Sequence, residues 1–90
     1  MKQEELILEL ESLAGQLGIA VRYEKGDFEG GYCILRAQKL LLINRRLAPA
    51  RKASLLAVAL EEIGLENTFV KPALRAFIED EARKAQRRAS

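Results

Sequence analysis

Residues 19–43 read IAVRYEKGDFEGGYCILRAQKLLLI, and this stretch decides the fold class. Residues 19–24 alternate apolar with polar or small side chains, which is typical of a half-buried strand. Residues 32–37 predict a second strand. Residues 40–43 are apolar throughout, so we expect the third strand to lie in the middle of a sheet or to be covered on both faces. Three strands with short connections predict an antiparallel meander.

Residues 26–31, GDFEGG, are the strongest turn signal in the chain. A glycine pair such as Gly30-Gly31 can also cradle a phosphate, but a phosphate loop needs a helix directly after it, with its N-terminus facing the anion. A strand follows here instead. The pattern therefore favours a hairpin between the first two strands, and Gln38-Lys39 predicts the next reversal.

Three amphipathic helices flank this region. Apolar residues recur at helical spacing in the first helix up to Gly18, which ends it, and Gly64 ends the second. Pro49 and Pro72 suit the first turns of the second and third helices. The predicted buried positions are Leu6, Ile7, Leu10, Leu13, Ala14 and Leu17 in the first helix, Ala53, Leu56, Ala57, Leu60 and Ile63 in the second, and Leu74, Phe77, Ile78, Ala82 and Ala85 in the third.

The sequence thus predicts an α+β fold with one N-terminal helix, a three-stranded antiparallel meander and two C-terminal helices packed on the sheet. Ninety residues suffice for one domain and are too few for two. We expect residues 1–82 to form that domain and residues 83–90 to form a charged, frayed tail. No apolar run is long enough to cross a membrane, so we expect no membrane partner.

The composition removes most of the usual apparatus of catalysis, because the chain has no histidine and a single cysteine, Cys33. Imidazole bases, Cys–His nucleophiles and histidine-containing metal sites are excluded. We therefore expect no catalytic residue, no metal ligand and no cofactor, and hence no enzyme. One cysteine cannot form an internal disulfide, and the N-terminus lacks the pattern of a secretion signal, so we expect a cytoplasmic location.

A minor enzymatic role would have to use Cys33 or a group of carboxylates. We expect Cys33 to be a small buried hydrophobe, because no histidine is present to activate its thiol. We expect the carboxylates to form a solvated surface, because neighbours in sequence point to different faces of a helix. These carboxylates are Glu61, Glu62, Glu79, Asp80 and Glu81.

A basic cluster around the start of the second helix consists of Arg45, Arg46, Arg51 and Lys52. Arg51 and Lys52 fall in the first turn of that helix, where the helix dipole disfavours cations. This indicates that an anion or an acidic partner compensates them, so the four residues are candidate anion or partner contacts. The alternative is a solvent-screened surface, and the cluster lacks the interleaved aromatic residues typical of nucleic-acid binding.

Three runs carry a resemblance to a known family: LGIAVRY at residues 17–23, LLIN at residues 41–44 and LLAVALEE at residues 55–62. In order and spacing they are similar to the N-terminal core of the ImmA/IrrE-type zinc metallopeptidases. That core runs from a helix through a small sheet ending near an asparagine to a helix with a His-Glu-x-x-His motif. The resemblance covers residues 13–62, about half of the chain, and the shared runs are generic apolar ones.

The chain departs from that family at the motif itself. Val58, Ala59 and Glu62 stand where the family has its first histidine, its catalytic glutamate and its second histidine. One carboxylate alone does not make a zinc site. The resemblance therefore implies a shared scaffold without the peptidase activity, and no functional residue is carried over.

We expect the chain to contact another macromolecule. The first hypothesis is a protein-interaction or homo-oligomerising module, because Leu55, Val58 and Ala59 make the second helix apolar on more faces than a small core covers easily. The alternative hypothesis is nucleic-acid or polyanion binding through the basic cluster, with an affinity that falls steeply with salt.

Overall fold

The computed structural model describes residues 2–89, with the side chains of residues 2–88. An N-terminal helix is followed by three strands and two further helices. The elements are α1 Gln3–Gln16, β1 Ile19–Glu24, β2 Gly30–Leu35, β3 Gln38–Asn44, α2 Pro49–Ile63 and α3 Pro72–Ala89. The predicted α+β class and the predicted order of helices and strands are confirmed.

The sheet is mixed, so the predicted antiparallel meander is wrong. The strand order is β1-β3-β2, with β3 parallel to β1 and antiparallel to β2. The loop over residues 25–29 carries the chain from one edge of the sheet to the other, and β3 returns between its two predecessors. The physical reason is the composition of β3. Leu41 and Ile43 are almost fully buried, and the central position gives this most apolar strand a neighbour on each side.

The predicted hairpin between the first two strands is also absent, since β1 and β2 do not pair. Gly30 and Gly31 belong to β2 rather than to a turn. The hairpin that does form joins β2 to β3 through Arg36 and Ala37, whose φ angles are 52° and 67°. These angles correspond to a two-residue turn that normally contains Asn or Gly, and neither residue is present at positions 36 and 37 to indicate it. Residues 38–39, predicted as the reversal, begin β3.

The helices cover one face of the sheet and close a single hydrophobic cluster. Leu10 of α1, Leu56 and Leu60 of α2, and Ile78 of α3 are fully buried in it, together with Leu41 of β3. β1 contributes Ile19. Within the described residues, β2 is the only helix or strand with no residue in this cluster.

The helix boundaries follow the predicted signals. Gly18 and Gly64, with φ angles of 75° and 103°, follow the ends of α1 and α2, and Pro49 and Pro72 begin α2 and α3. α3 continues through Ala89, so the residues predicted as a frayed tail are helical as far as that point, and Ser90 lies outside the described residues. No helix in the described part of the chain is long and apolar enough to span a membrane.

Candidate functional site

The most unusual surface of the molecule is β2, which forms one edge of the sheet. All six of its residues, Gly30–Leu35, are exposed. Tyr32, Ile34 and Leu35 are 39%, 64% and 55% exposed, although each has a large apolar side chain. An apolar edge strand is uncommon, because proteins normally protect such edges with charged residues, proline, bulges or a covering element. The β2 sequence GGYCIL contains neither a charge nor a proline.

The pairing of β2 with β3 decides which of its backbone groups face outward. The two-residue turn makes Leu35 and Gln38 a hydrogen-bonded pair, and at the other end the Asn44 N–H donates to the Glu29 carbonyl at 2.8 Å. Bonded pairs alternate along an antiparallel ladder. The N–H and C=O groups of Gly30, Tyr32 and Ile34 therefore point away from β3 and form the outer edge.

The side chains of β2 lie on both faces of the sheet. Tyr32 pairs with Leu41, which lies in the core, so Tyr32 and Ile34 lie on the face that the helices cover. Cys33 pairs with Leu40 and lies with Leu35 on the opposite face. We define the outer edge of β2 as the outward backbone groups of Gly30, Tyr32 and Ile34 with the exposed side chains of residues 32–35.

Asn44 fixes the start of β2. Its side chain is buried, and its Nδ2 donates to the carbonyl oxygens of Gly26 at 2.7 Å and Phe28 at 2.6 Å. Its Oδ1 accepts a hydrogen bond from the Arg46 N–H at 3.0 Å. One side chain thus holds the loop over residues 25–29 against the end of β3. The sequence marked Asn44 only as the last residue of the LLIN run at residues 41–44, which carries the family resemblance.

Gly30 is required at the start of β2 because the two strands approach closely there. A Cβ atom at Gly30 would lie 2.5 Å from the carbonyl oxygen of Leu42, which is closer than real Cβ atoms come. A Cβ atom at Gly31 would meet nothing within 4 Å. The glycine pair that resembled a phosphate loop therefore serves strand pairing at its first position.

Cys33 is exposed and free, so the expectation of a buried cysteine is wrong. The reason is the strand order, which places β2 outside the core. Alternation along β2 shows that its residues divide between two faces, but it does not show that the strand lies at an edge. The signal that sequence reasoning missed is the uncharged run of residues 30–35 between Glu29 and Arg36.

The structure divides the predicted basic cluster. Arg51 forms a two-point ion pair with Glu29, through Nε at 3.2 Å and a terminal nitrogen at 2.7 Å. Lys52 places its Nζ 5.5 Å from the centre of the Tyr23 ring. Arg45 donates to the Tyr23 carbonyl at 3.4 Å. Arg45 and Arg46 are exposed, whereas Arg51 and Lys52 are half-buried.

Glu29 of the same chain therefore compensates the charge of Arg51 in the first turn of α2, where the sequence predicted an anion or an acidic partner. The hydrogen bonds that Arg51 donates to Glu29 lower the pKa of Glu29 and raise the pKa of Arg51. Tyr23 also donates its hydroxyl to Glu11, and its pKa is raised, first by burial and then by this hydrogen bond. These contacts tie β1, the 25–29 loop, α1 and α2 together.

The extra apolar positions of α2 are largely accounted for by α3. Leu55 and Val58 are half-buried and line shallow grooves beside Ala85 of α3, while Ala59 packs against the core. The additional apolar positions of α2 therefore give less support to an interaction surface in the structure than they did in the sequence. The larger exposed apolar surface lies on β2.

The carboxylates considered for acid–base chemistry differ in exposure: Glu79 is exposed on α3, whereas Asp80 and Glu81 are half-buried, and the Glu81 side chain is only 12% exposed. Asp80 accepts hydrogen bonds from Lys84 and Arg83, which lower its pKa, and Glu81 pairs with Lys84. Glu61 and Glu62 are exposed on α2. Among the described residues, no three or more Cys, Asp or Glu side chains converge where they could hold a metal ion.

Comparison of the chain with protein-family models, with curated proteins and with solved structures finds no match. The resemblance to the ImmA/IrrE-type metallopeptidases therefore stays a prediction.

Proposed function

We propose that this chain is a non-catalytic protein-interaction module that binds by accepting a further strand at the outer edge of β2. The observation that carries the proposal is the exposure of all six β2 residues together with the uncharged composition of the strand. Strand addition to a free sheet edge is a recurring mode of peptide and protein recognition. In this mode the backbone groups supply affinity, and alternate side chains supply specificity.

The division of labour within the fold supports this proposal. All the other helices and strands contribute residues to the hydrophobic cluster. Side chains on β2 can therefore be replaced without opening the core. The loop before β2 is held by the hydrogen bonds of Asn44 and by the Glu29–Arg51 ion pair. β2 is therefore presented as a fixed template, which reduces the ordering entropy that binding must overcome.

We also propose a cytoplasmic location. An exposed free thiol such as that of Cys33 persists most readily in a reducing compartment. We propose that the module is non-catalytic because of its composition, since the chain has no histidine.

The test is a fluorescence-anisotropy titration of a labelled peptide with the sequence of residues 29–36, carrying the Cys33→Ser substitution. Ile34→Lys places a charge on the outer edge, and we expect it to weaken binding of the peptide at least tenfold. Leu8→Lys is the matched control, because Leu8 is 65% exposed and Ile34 is 64% exposed. Absence of peptide binding to the wild-type protein, or equal weakening by both variants, would contradict the proposal.

Polyanion binding through Arg45, Arg46, Arg51 and Lys52 is the alternative. The exposure of Arg45 and Arg46 favours it, whereas the engagement of Arg51 by Glu29 removes part of the attraction. Its signature is heparin binding that falls steeply with salt and is lost in the double variant Arg45→Ala, Arg46→Ala. Salt-insensitive binding, or none, removes this alternative.

A further inference from the structure

We propose that the strand added to the outer edge of β2 is β2 of a second copy of this chain. The two strands run antiparallel about a two-fold axis, with Cys33 opposite Cys33, and join two sheets into one of six strands. This inference rests on the proposed function, because it names the occupant of the same edge. Its support comes from the self-complementary side chains of β2 and from the charges of the residues that flank the strand.

Symmetry limits the possible registers. A two-fold axis perpendicular to an antiparallel pair passes between a residue and its own copy, so the residue on the axis is Tyr32, Cys33 or Ile34. With Cys33 on the axis, Tyr32 of each copy lies opposite Ile34 of the other. Aromatic and β-branched residues are favoured cross-strand pairs, and both side chains are exposed in the single chain.

The same register uses the outward backbone groups. The N–H and C=O groups of Tyr32 and Ile34 point away from β3. In this register, those of Tyr32 face those of Ile34 in the second copy. Two such pairs give four backbone hydrogen bonds across the axis. Gly31 then lies opposite Leu35 of the second copy, and the open space around Gly31 leaves room for that large side chain.

The other two registers match less well. With Tyr32 on the axis, Ile34 faces Gly30, and Arg36 faces Phe28. With Ile34 on the axis, Tyr32 faces Arg36, which is a turn residue. Only the register centred on Cys33 places both Tyr32 and Ile34 opposite a large apolar side chain of the other copy.

Charge also favours an antiparallel second copy. Asp27 and Glu29 precede β2, whereas Arg36 follows it and Lys39 lies beside Ile34 on β3. Antiparallel pairing brings the acidic end of each strand to the basic end of the other, while parallel pairing would place like charges together. Glu29 is already engaged by Arg51, so Asp27 contributes most of the free negative charge at this end.

The interface is small. It involves six residues of strand from each copy, against about 20–30 residues a side in a standard interface. We therefore expect a reversible dimer whose population rises with protein concentration, rather than a permanent one.

Oxidative crosslinking of the full chain, followed over a range of concentrations, tests the register. Paired cysteines at a position without backbone bonds between the two strands have Cβ atoms close enough for a disulfide, so mild oxidation should join Cys33 to Cys33 rapidly. Three single-cysteine variants, each also carrying Cys33→Ser, provide the comparison. They are Tyr32→Cys and Ile34→Cys on β2, and Ser12→Cys on the exposed side of α1, which reports random collision.

We expect Cys33 to crosslink at least tenfold faster than Cys at position 12, and faster than Cys at positions 32 and 34. Fastest crosslinking at position 32 or 34 would overturn the register. If the wild-type chain remains monomeric by sedimentation at all concentrations, the proposal that a second copy occupies the outer edge of β2 would be overturned. In that case, binding of the free 29–36 peptide would still support the proposed function, because a free strand lacks the bulk of a second molecule.

Discussion

Asn44 shows how one residue can set the topology of this sheet. The Nδ2 of its side chain donates hydrogen bonds to two carbonyl groups of the 25–29 loop, and its Oδ1 accepts one from the Arg46 N–H. The side chain therefore satisfies three backbone groups. Its own N–H bonds the Glu29 carbonyl, which extends the β2–β3 ladder. The sequence places an asparagine after an apolar run, but which distant groups it reaches depends on the folded loop.

We expect Asn44→Asp to destabilise the fold by about 2–4 kcal/mol. The substitution keeps the shape of the side chain but turns two donated hydrogen bonds into contacts between oxygens, and it buries a charge. Urea unfolding measures the loss. The same substitution at exposed Asn67 is the control, and it should change the free energy of unfolding by less than about 0.5 kcal/mol. Equal effects at both positions would show that Asn44 does not hold the loop.

The Glu29–Arg51 ion pair predicts a pH dependence. The pKa of Glu29 is lowered in the folded state from an ordinary value of 4.5, because Arg51 donates two hydrogen bonds to the carboxylate. Such a group stabilises the fold above its unfolded pKa, and this contribution is lost as pH falls through its folded pKa. Glu29→Gln should therefore lower the urea midpoint at pH 7 and have no such effect once the pH lies below the folded pKa.

Glu62→Gln on α2 is the control for the loss of one surface carboxylate, and its urea midpoint should stay near that of the wild type at pH 7. A Glu29→Gln variant whose deficit persists unchanged at low pH would contradict the assignment. The effect would then come from the side chain and not from its charge.

At the scale of elements, the sequence predicted what is local and missed what is distant. Glycine and proline marked the helix ends correctly, because their backbone preferences act within one turn. Apolar periodicity gave the buried faces of the helices. Strand order was mispredicted, because it depends on where the 25–29 loop crosses the sheet, and the exposure of Cys33 was mispredicted with it.

The β2–β3 turn shows a local conflict that packing overrides. Ala37 has a φ of 67°, and this left-handed conformation costs a residue with a Cβ atom about 1 kcal/mol relative to glycine. Ala37→Gly should therefore raise the free energy of unfolding, by up to about 1 kcal/mol. Ala76→Gly, at an exposed position inside α3, should lower it by about the same amount. Thermal or urea unfolding of both variants gives the comparison, and two shifts of the same sign would refute the assigned turn.

At the scale of the whole molecule, the hydrophobic core and the proposed interaction edge are formed by different parts of the chain. The core is built from α1, α2, α3, β1 and β3, and none of the residues of β2 contributes to it. Substitutions on the outer edge of β2 should therefore change binding while leaving the unfolding midpoint nearly unchanged. The uncharged run of residues 30–35 is visible in the sequence, but its position at an edge is not, because an edge strand is defined by the absence of a neighbour in the assembled sheet.

Amide hydrogen exchange along β2 shows whether the outer edge of β2 is unpaired and accepts a further strand. In dilute protein, the amides of Gly30, Tyr32 and Ile34 should exchange as fast as those of the 25–29 loop, while those of Gly31, Cys33 and Leu35 should be protected by β3. Concentrated protein, or added 29–36 peptide, should protect Tyr32 and Ile34 selectively. Protection that is uniform along β2 in dilute protein, or that does not respond to either addition, would contradict the claim that this edge accepts a strand.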